Sequence, residues 1–148
     1  MKSFFFLITM KIAYMCRLFS QKYSMRIVTF AHKKKGVVFR GKPEYIHYDA
    51  YLDPSGGLSI GKDVVISTKV IILTHDWSIL KRKRTNKNAF NPVVLKDNVF
   101  VGAGAIILPG SIIGSNCIIG GGAAIKGEID DYSIMAGNPA QKIGDTRY

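Results

Sequence analysis

Between Leu95 and Ile125 a large apolar side chain returns every sixth residue, at Leu95, Val101, Ile107, Ile113, Ile119 and Ile125. Four places after each of the first five stands a smaller one: Val99, Ala105, Ser111, Cys117 and Ala123. A period of six is neither the 3.6 of a helix nor the alternation of an ordinary strand. It predicts an all-β solenoid of triangular section, in which each hexapeptide makes one flat side, the large residue fills the axis and the small one sits near the corner. Gly102, Gly114 and Gly120 directly follow three of the large residues and are expected to ease tight turns. The many glycines and Pro109 in this stretch argue against a helix. An antiparallel sandwich would space its turn clusters more widely.

The same pattern appears upstream at Ile60, Ile66 and Ile72, with Val64 and Val70 as the smaller partners, but in a shifted register. One solenoid is therefore interrupted once, by an excursion from about Thr74 to Pro92. A looser lead-in runs through Ile46, Leu52 and Leu58, with GGL at 56 to 58 absorbing a misfit. Ahead of it, Phe5, Ile8, Ile12, Met15 and Phe19 gather on one face of a helix over residues 3 to 22. That face is expected to pack on the main domain; residues 3 to 22 also fit a basic amphipathic contact with a membrane surface. The division expected is a helical, basic segment over 1–45 and a repeat domain over 46–148.

Composition adds an asymmetry. The chain of 148 residues carries 21 Lys and Arg against 10 Asp and Glu, and no acid precedes Glu44. Such a surplus suits an anionic partner: a nucleotide-containing cofactor, an acidic glycan, a membrane surface or nucleic acid. Two cysteines, Cys16 and Cys117, make no disulfide framework or zinc spacing and point to a reducing, cytoplasmic setting. The apolar start is broken by Lys11 and lacks a small-residue cleavage site, so no signal peptide and no spanning helix are expected.

The excursion opens on ILTHDWSILKRKRT, at residues 72 to 85. This histidine, the GAGAIILPG turn and the closing AGNPAQKI resemble the hexapeptide-repeat acyltransferases, in particular the maltose, galactoside and polysaccharide O-acetyltransferase branch. The resemblance covers residues 46 to 144. It implies a left-handed parallel β-helix, a homotrimer with sites in the clefts between subunits, acetyl-CoA as acyl donor with no metal, and a sugar or glycan acceptor. It departs from the family at Lys96, Phe100, Lys126-Gly127 and Gln141, which bears on donor contacts more than on fold.

By that resemblance His75 is the general base, taking the proton of an acceptor hydroxyl as it attacks a thioester. A backbone N–H near Gly102 or Ala103 would meet the oxyanion. Gly102, Ala103, Gly121, Lys126, Asn138, Pro139 and Lys142 would lie along the donor, and Asp76 and Trp77 beside the acceptor. Asp76 equally suits a local loop cap, or a role in positioning His75, and Trp77 a loop anchor. Lys81, Arg82, Lys83, Arg84 and Lys87 suit the phosphates of coenzyme A, an acidic acceptor or simple solvation. Alternatives are acetylation of an antibiotic or amino sugar, and a non-enzymatic basic solenoid holding an acidic polymer; no nucleic-acid partner is expected. A three-histidine metal site of the γ-class carbonic anhydrase kind is disfavoured, because the chain has three histidines and His32 lies outside the repeats.

Overall fold

The computed structural model describes residues 2–17, 20–78 and 89–147. Two helices, α1 (Lys2–Arg17) and α2 (Gln21–Lys35), precede the coils. The first coil holds β1 (Val38–Phe39), β2 (Tyr45–Ile46) and β3 (Tyr51–Leu52), and the second β4 (Leu58–Ile60), β5 (Val65–Ile66) and β6 (Ile71–Ile72). After the excursion come β7 (Val93–Leu95), β8 (Phe100–Val101) and β9 (Ile106–Ile107), then β10 (Ile112–Ile113), β11 (Ile118–Ile119) and β12 (Ala124–Ile125). A last part-coil, β13 (Glu128–Ile129) and β14 (Ser133–Gly137), turns back into β15 (Ala140–Asp145).

Every third strand stacks on its counterpart, giving three parallel faces: β1-β4-β7-β10-β13 (face A), β2-β5-β8-β11-β14 with β15 antiparallel on its edge (face B), and β3-β6-β9-β12 (face C). The coils wind in the left-handed sense, against the usual preference for right-handed crossovers. The solenoid begins earlier than residue 46, since β1 already pairs with β4 in register Phe39↔Ile60.

The six-residue series fills the axis as the periodicity requires: Ile60, Ile66, Ile72, Leu95, Val101, Ile107, Ile113 and Ile119 are wholly buried. Ile107 stacks between Ile72 and Ile125. Its truncation to alanine leaves a void that rigid neighbouring coils cannot close, so Ile107→Ala should cost about 2–5 kcal/mol in chemical denaturation. A loss below about 1 kcal/mol would mean the axis is not tightly packed.

The turns work differently from the expectation. The residue just before each small inward side chain takes positive φ, whether it is Gly104, Gly110 and Gly122 or Asp63, Lys69, Asn98, Asn116 and Tyr132. Gly102 and Gly114 serve another purpose, since a Cβ there would stand 2.6 and 2.5 Å from backbone nitrogen of the next coil. They permit close coil stacking rather than the turn itself.

The amino-terminal segment brings one addition and one correction. The stretch after residue 22 is a second helix, which ends where Gly36 adopts φ 115 and its N–H donates to the Lys33 carbonyl. And α1 packs through Phe6, Thr9, Met10 and Ala13, so the expected face of Phe5, Ile8, Ile12 and Met15 points outward; Phe19 lies outside the described residues. Ala13 and Val28 join the solenoid core, sealing the open end of the first coil.

His32, 1% exposed, packs edge-on to Phe6 with neither ring nitrogen hydrogen-bonded. Burial, aided by the Lys35 charge, lowers its pKa to about 4. A depressed folded pKa contributes stability above the unfolded value of about 6.5 that is lost as pH falls toward 4. Acidification over that window should lower the melting temperature of the wild type more than that of His32→Leu; parallel curves would refute it.

Candidate active site

His75 follows β6 at the corner joining faces C and A, where the chain leaves the solenoid; an isolated antiparallel bridge to Phe90 marks where it returns. The corner beneath it comes from the previous coil. Because Leu52 pairs with Ile72 and the Asp53 N–H donates to the Ile72 carbonyl, Asp53 lies directly under the start of the excursion. Gly56 is needed there, since a Cβ would come within 2.1 Å of the Thr74 carbonyl oxygen.

The result is a histidine held by a carboxylate. His75 Nδ1 lies 2.7 Å from Asp53 Oδ2, with Ser55 Oγ 3.2 Å from the same nitrogen. Asp53 Oδ2 also accepts from the Thr74 N–H at 3.0 Å and the Thr74 hydroxyl at 2.8 Å, and Oδ1 accepts from the Ser55 N–H at 3.0 Å. Burial by itself would raise the Asp53 carboxyl, but these donors from Ser55 and Thr74 outweigh it and hold the group well below the usual carboxylate range. A permanent carboxylate at Nδ1 puts the imidazole proton there and leaves Nε2 to accept one.

His47 provides a contrast. It too has a carboxylate at Nδ1, Asp49, which is itself held by Thr68 and the Lys69 N–H. But the Arg17 guanidinium of α1 sits 2.8 Å from His47 Nε2, so both nitrogens are engaged and the pair ties α1 to the first coil. Of the two carboxylate-held histidines, His75 is the one with an available acceptor nitrogen among the described residues.

Aromatic rings border His75. Trp77 is half exposed with its ring centroid 5.8 Å from His75, and it meets Phe90 edge-on at 5.3 Å. Asp76 Oδ1 accepts from the Ser78 N–H, the local loop cap that its position suggested; the carboxylate on His75 is Asp53. Sequence inspection missed Asp53 because it lies 22 residues away; the signal was the LDPSGG corner one coil upstream, visible only once the coil offset is known. The basic cluster Lys81, Arg82, Lys83, Arg84 and Lys87 lies outside the described residues.

The remaining candidates divide between corners. Lys126, exposed after β12, shares the C–A corner with His75, further along the solenoid. Gly102, Ala103 and Gly121 line the B–C corner, where the Gly122 N–H donates to the Ala103 carbonyl. Asn138 and Pro139 form the exposed turn between β14 and β15, beyond Met135, whose carbonyl accepts from the Gly120 N–H. Lys142 is on β15, 3.8 Å from Asp145. The Gly102 N–H is already spent on the Ile119 carbonyl at 2.8 Å, so it is no oxyanion donor; the Ala103 N–H is not engaged in the ladder among the described residues. One chain thus keeps His75 and the glycine corner at opposite ends of face C. No group of three metal-ligating side chains occurs among the described residues.

Comparison with known proteins shows chains of similar sequence and fold. Residues 92–127 match the family model for the bacterial transferase hexapeptide (six repeats). A putative lipopolysaccharide biosynthesis O-acetyl transferase of Escherichia coli K12 is 25% identical over 84% of this chain and 67% of its own length. A galactoside O-acetyltransferase of Lactococcus lactis is 30% identical over 70% of this chain and 52% of its own length. In fold, the chain resembles a hexapeptide-repeat acetyltransferase of Vibrio cholerae solved with acetyl coenzyme A, with a TM-score of 0.64 and 21% identity over 76% of this chain and 61% of that one. The chain spans between about half and two thirds of the length of these curated relatives.

Proposed function

Since the chain belongs to the hexapeptide-repeat acyltransferases, we propose that it transfers the acetyl group of acetyl-CoA to a hydroxyl of a sugar or polysaccharide precursor, with His75 as general base. The observation that carries this reading is the Asp53–His75 pair at the base of the excursion. The acceptor hydroxyl donates to Nε2 while its sugar ring lies on the exposed Trp77 and Phe90 rings. As the oxygen attacks the thioester carbonyl, His75 takes the proton, and the buried Asp53 carboxylate stabilises the imidazolium that forms. The tetrahedral oxyanion is met by the Ala103 N–H of an adjoining subunit. Collapse breaks the carbon–sulfur bond, and the departing thiolate takes the proton back from His75. The small side chains at Gly102, Ala103 and Gly121 leave room along the B–C corner for the narrow pantetheine arm, and Asn138, Pro139, Lys126 and Lys142 hold the nucleotide end.

This mechanism needs a neighbour. A six-residue side is on the order of 15–20 Å long, so His75 and Ala103 of one chain cannot touch the same reacting atoms. A second subunit that presents its B–C corner to the first one's C–A corner completes the cleft, and three such contacts close a ring. Sedimentation equilibrium should therefore give a trimer; a monomer that keeps full activity would overturn the shared site. Thiol release from acetyl-CoA, measured against a panel of sugars, tests the reaction itself: acceptor-dependent release is expected, and its absence for every hydroxyl acceptor alongside release with an amino sugar would favour N-acetylation.

A further inference from the structure

We propose that the α1–α2 hairpin is a docking surface for anionic lipid bilayers, an inference independent of the transferase reading. The outward half of α1 carries Phe4, Phe5, Leu7, Ile8, Ile12 and Met15, all exposed, while the opposite stripe already packs on α2 and the first coil. Lys11 is the one charged side chain on that outward half among the described residues. A helix apolar on both sides wants cover on both. One side has it.

Charge selects the cover. Residues 1–43 hold ten Lys and Arg and no Asp or Glu. Bringing this hairpin against the same hairpin of a second copy would set its flanking cations against their like, whereas an anionic headgroup layer complements them. On α2, Lys22, Arg26 and Lys33 meet Arg40 and Lys42 around a groove of about 1050 Å3. Met25, Phe39 and Tyr45 also line it, with Glu44 as its one acid, so the groove, with five cations to one carboxylate, suits a phosphate-bearing headgroup above an apolar wall.

The length of α1 sets the mode of contact. Its 16 residues span about 24 Å, and no helix among the described residues is long and apolar enough to cross a membrane. It lies in the plane of the interface, with its apolar half at the headgroup–acyl boundary and Lys11 reaching back to the phosphates. Insertion and basic attraction together make the two signals that stable attachment requires.

The test is co-sedimentation of the full chain with phosphatidylcholine vesicles, with and without phosphatidylglycerol. Binding to the anionic vesicles should exceed binding to the neutral ones by at least about tenfold and weaken with salt. Phe5→Glu/Ile8→Glu should abolish it, and Lys33→Glu/Lys34→Glu should remove the preference for anionic lipid. Ile8→Trp reads insertion directly: its emission should be quenched by brominated acyl chains, while the wild type, whose one tryptophan is Trp77, should not be. Wild-type protein that stays in the supernatant, an unquenched tryptophan at position 8, or a doubly acidic variant that binds as before would overturn the proposal. So would a change of oligomer mass in that variant with unchanged vesicle binding, which would make the face a contact between copies.

Discussion

His75→Ala should reduce acetyl transfer by about 100- to 10,000-fold at saturating substrates, the usual contribution of a positioned general base. The loss should fall on kcat, because the imidazole is asked to act only as the acceptor oxygen begins to lose its proton. Fold and oligomeric state should hold: the side chain is at the solenoid surface, and its strongest bond is to a carboxylate that retains Thr74 and Ser55 as donors. Circular dichroism and sedimentation of the variant check this independently. Wild-type turnover in a properly folded variant would remove His75 from the mechanism.

Asp53→Asn should lower kcat by about 10- to 1,000-fold, bounded above by the loss of the base itself. The amide keeps the shape but cannot accept from His75, Thr74 and Ser55 together, since one of its two ends now donates. The imidazole loses both its fixed tautomer and the negative charge that stabilises its protonated form. A purely structural role for Asp53 would lower stability while leaving kcat and its pH profile in place, so the pH profile discriminates. Stability supplies a second readout. The folded carboxyl is depressed, so its contribution is present above the unfolded aspartate value of about 3.9 and is lost as pH falls below it. The asparagine variant should be the less stable protein at neutral pH, with the difference narrowing in acid. A gap that stays constant down to strong acid would mean Asp53 is not ionised in the fold.

The repeat domain was open to sequence inspection because its information is local and periodic. Each hexapeptide must put one large residue on a shared axis, so the series from Leu95 to Ile125 is enough to announce the coils. The break after Ile72 announced the excursion in the same way. The helical hairpin was harder. α2 is polar enough to lack a clear stripe, and α1 is apolar on nearly every side, so counting periods along α1 chose Phe5, Ile8, Ile12 and Met15 when the packing uses Phe6, Thr9, Met10 and Ala13.

The amino-acid order alone determined the solenoid, its single interruption and the histidine at that interruption, because steric period and a broken register are properties of neighbouring residues. Tertiary structure decided which carboxylate holds His75, which histidine keeps an open nitrogen and which side of α1 is left bare. Those depend on the offset between coils, and that offset varies: Leu52 stacks on Ile72 across twenty residues, whereas Ile107 stacks on Ile125 across eighteen. No local pattern encodes the difference. It emerges only when the first coil closes on the second, sets Asp53 beneath Thr74 and His75, and presents its end to one side of α1.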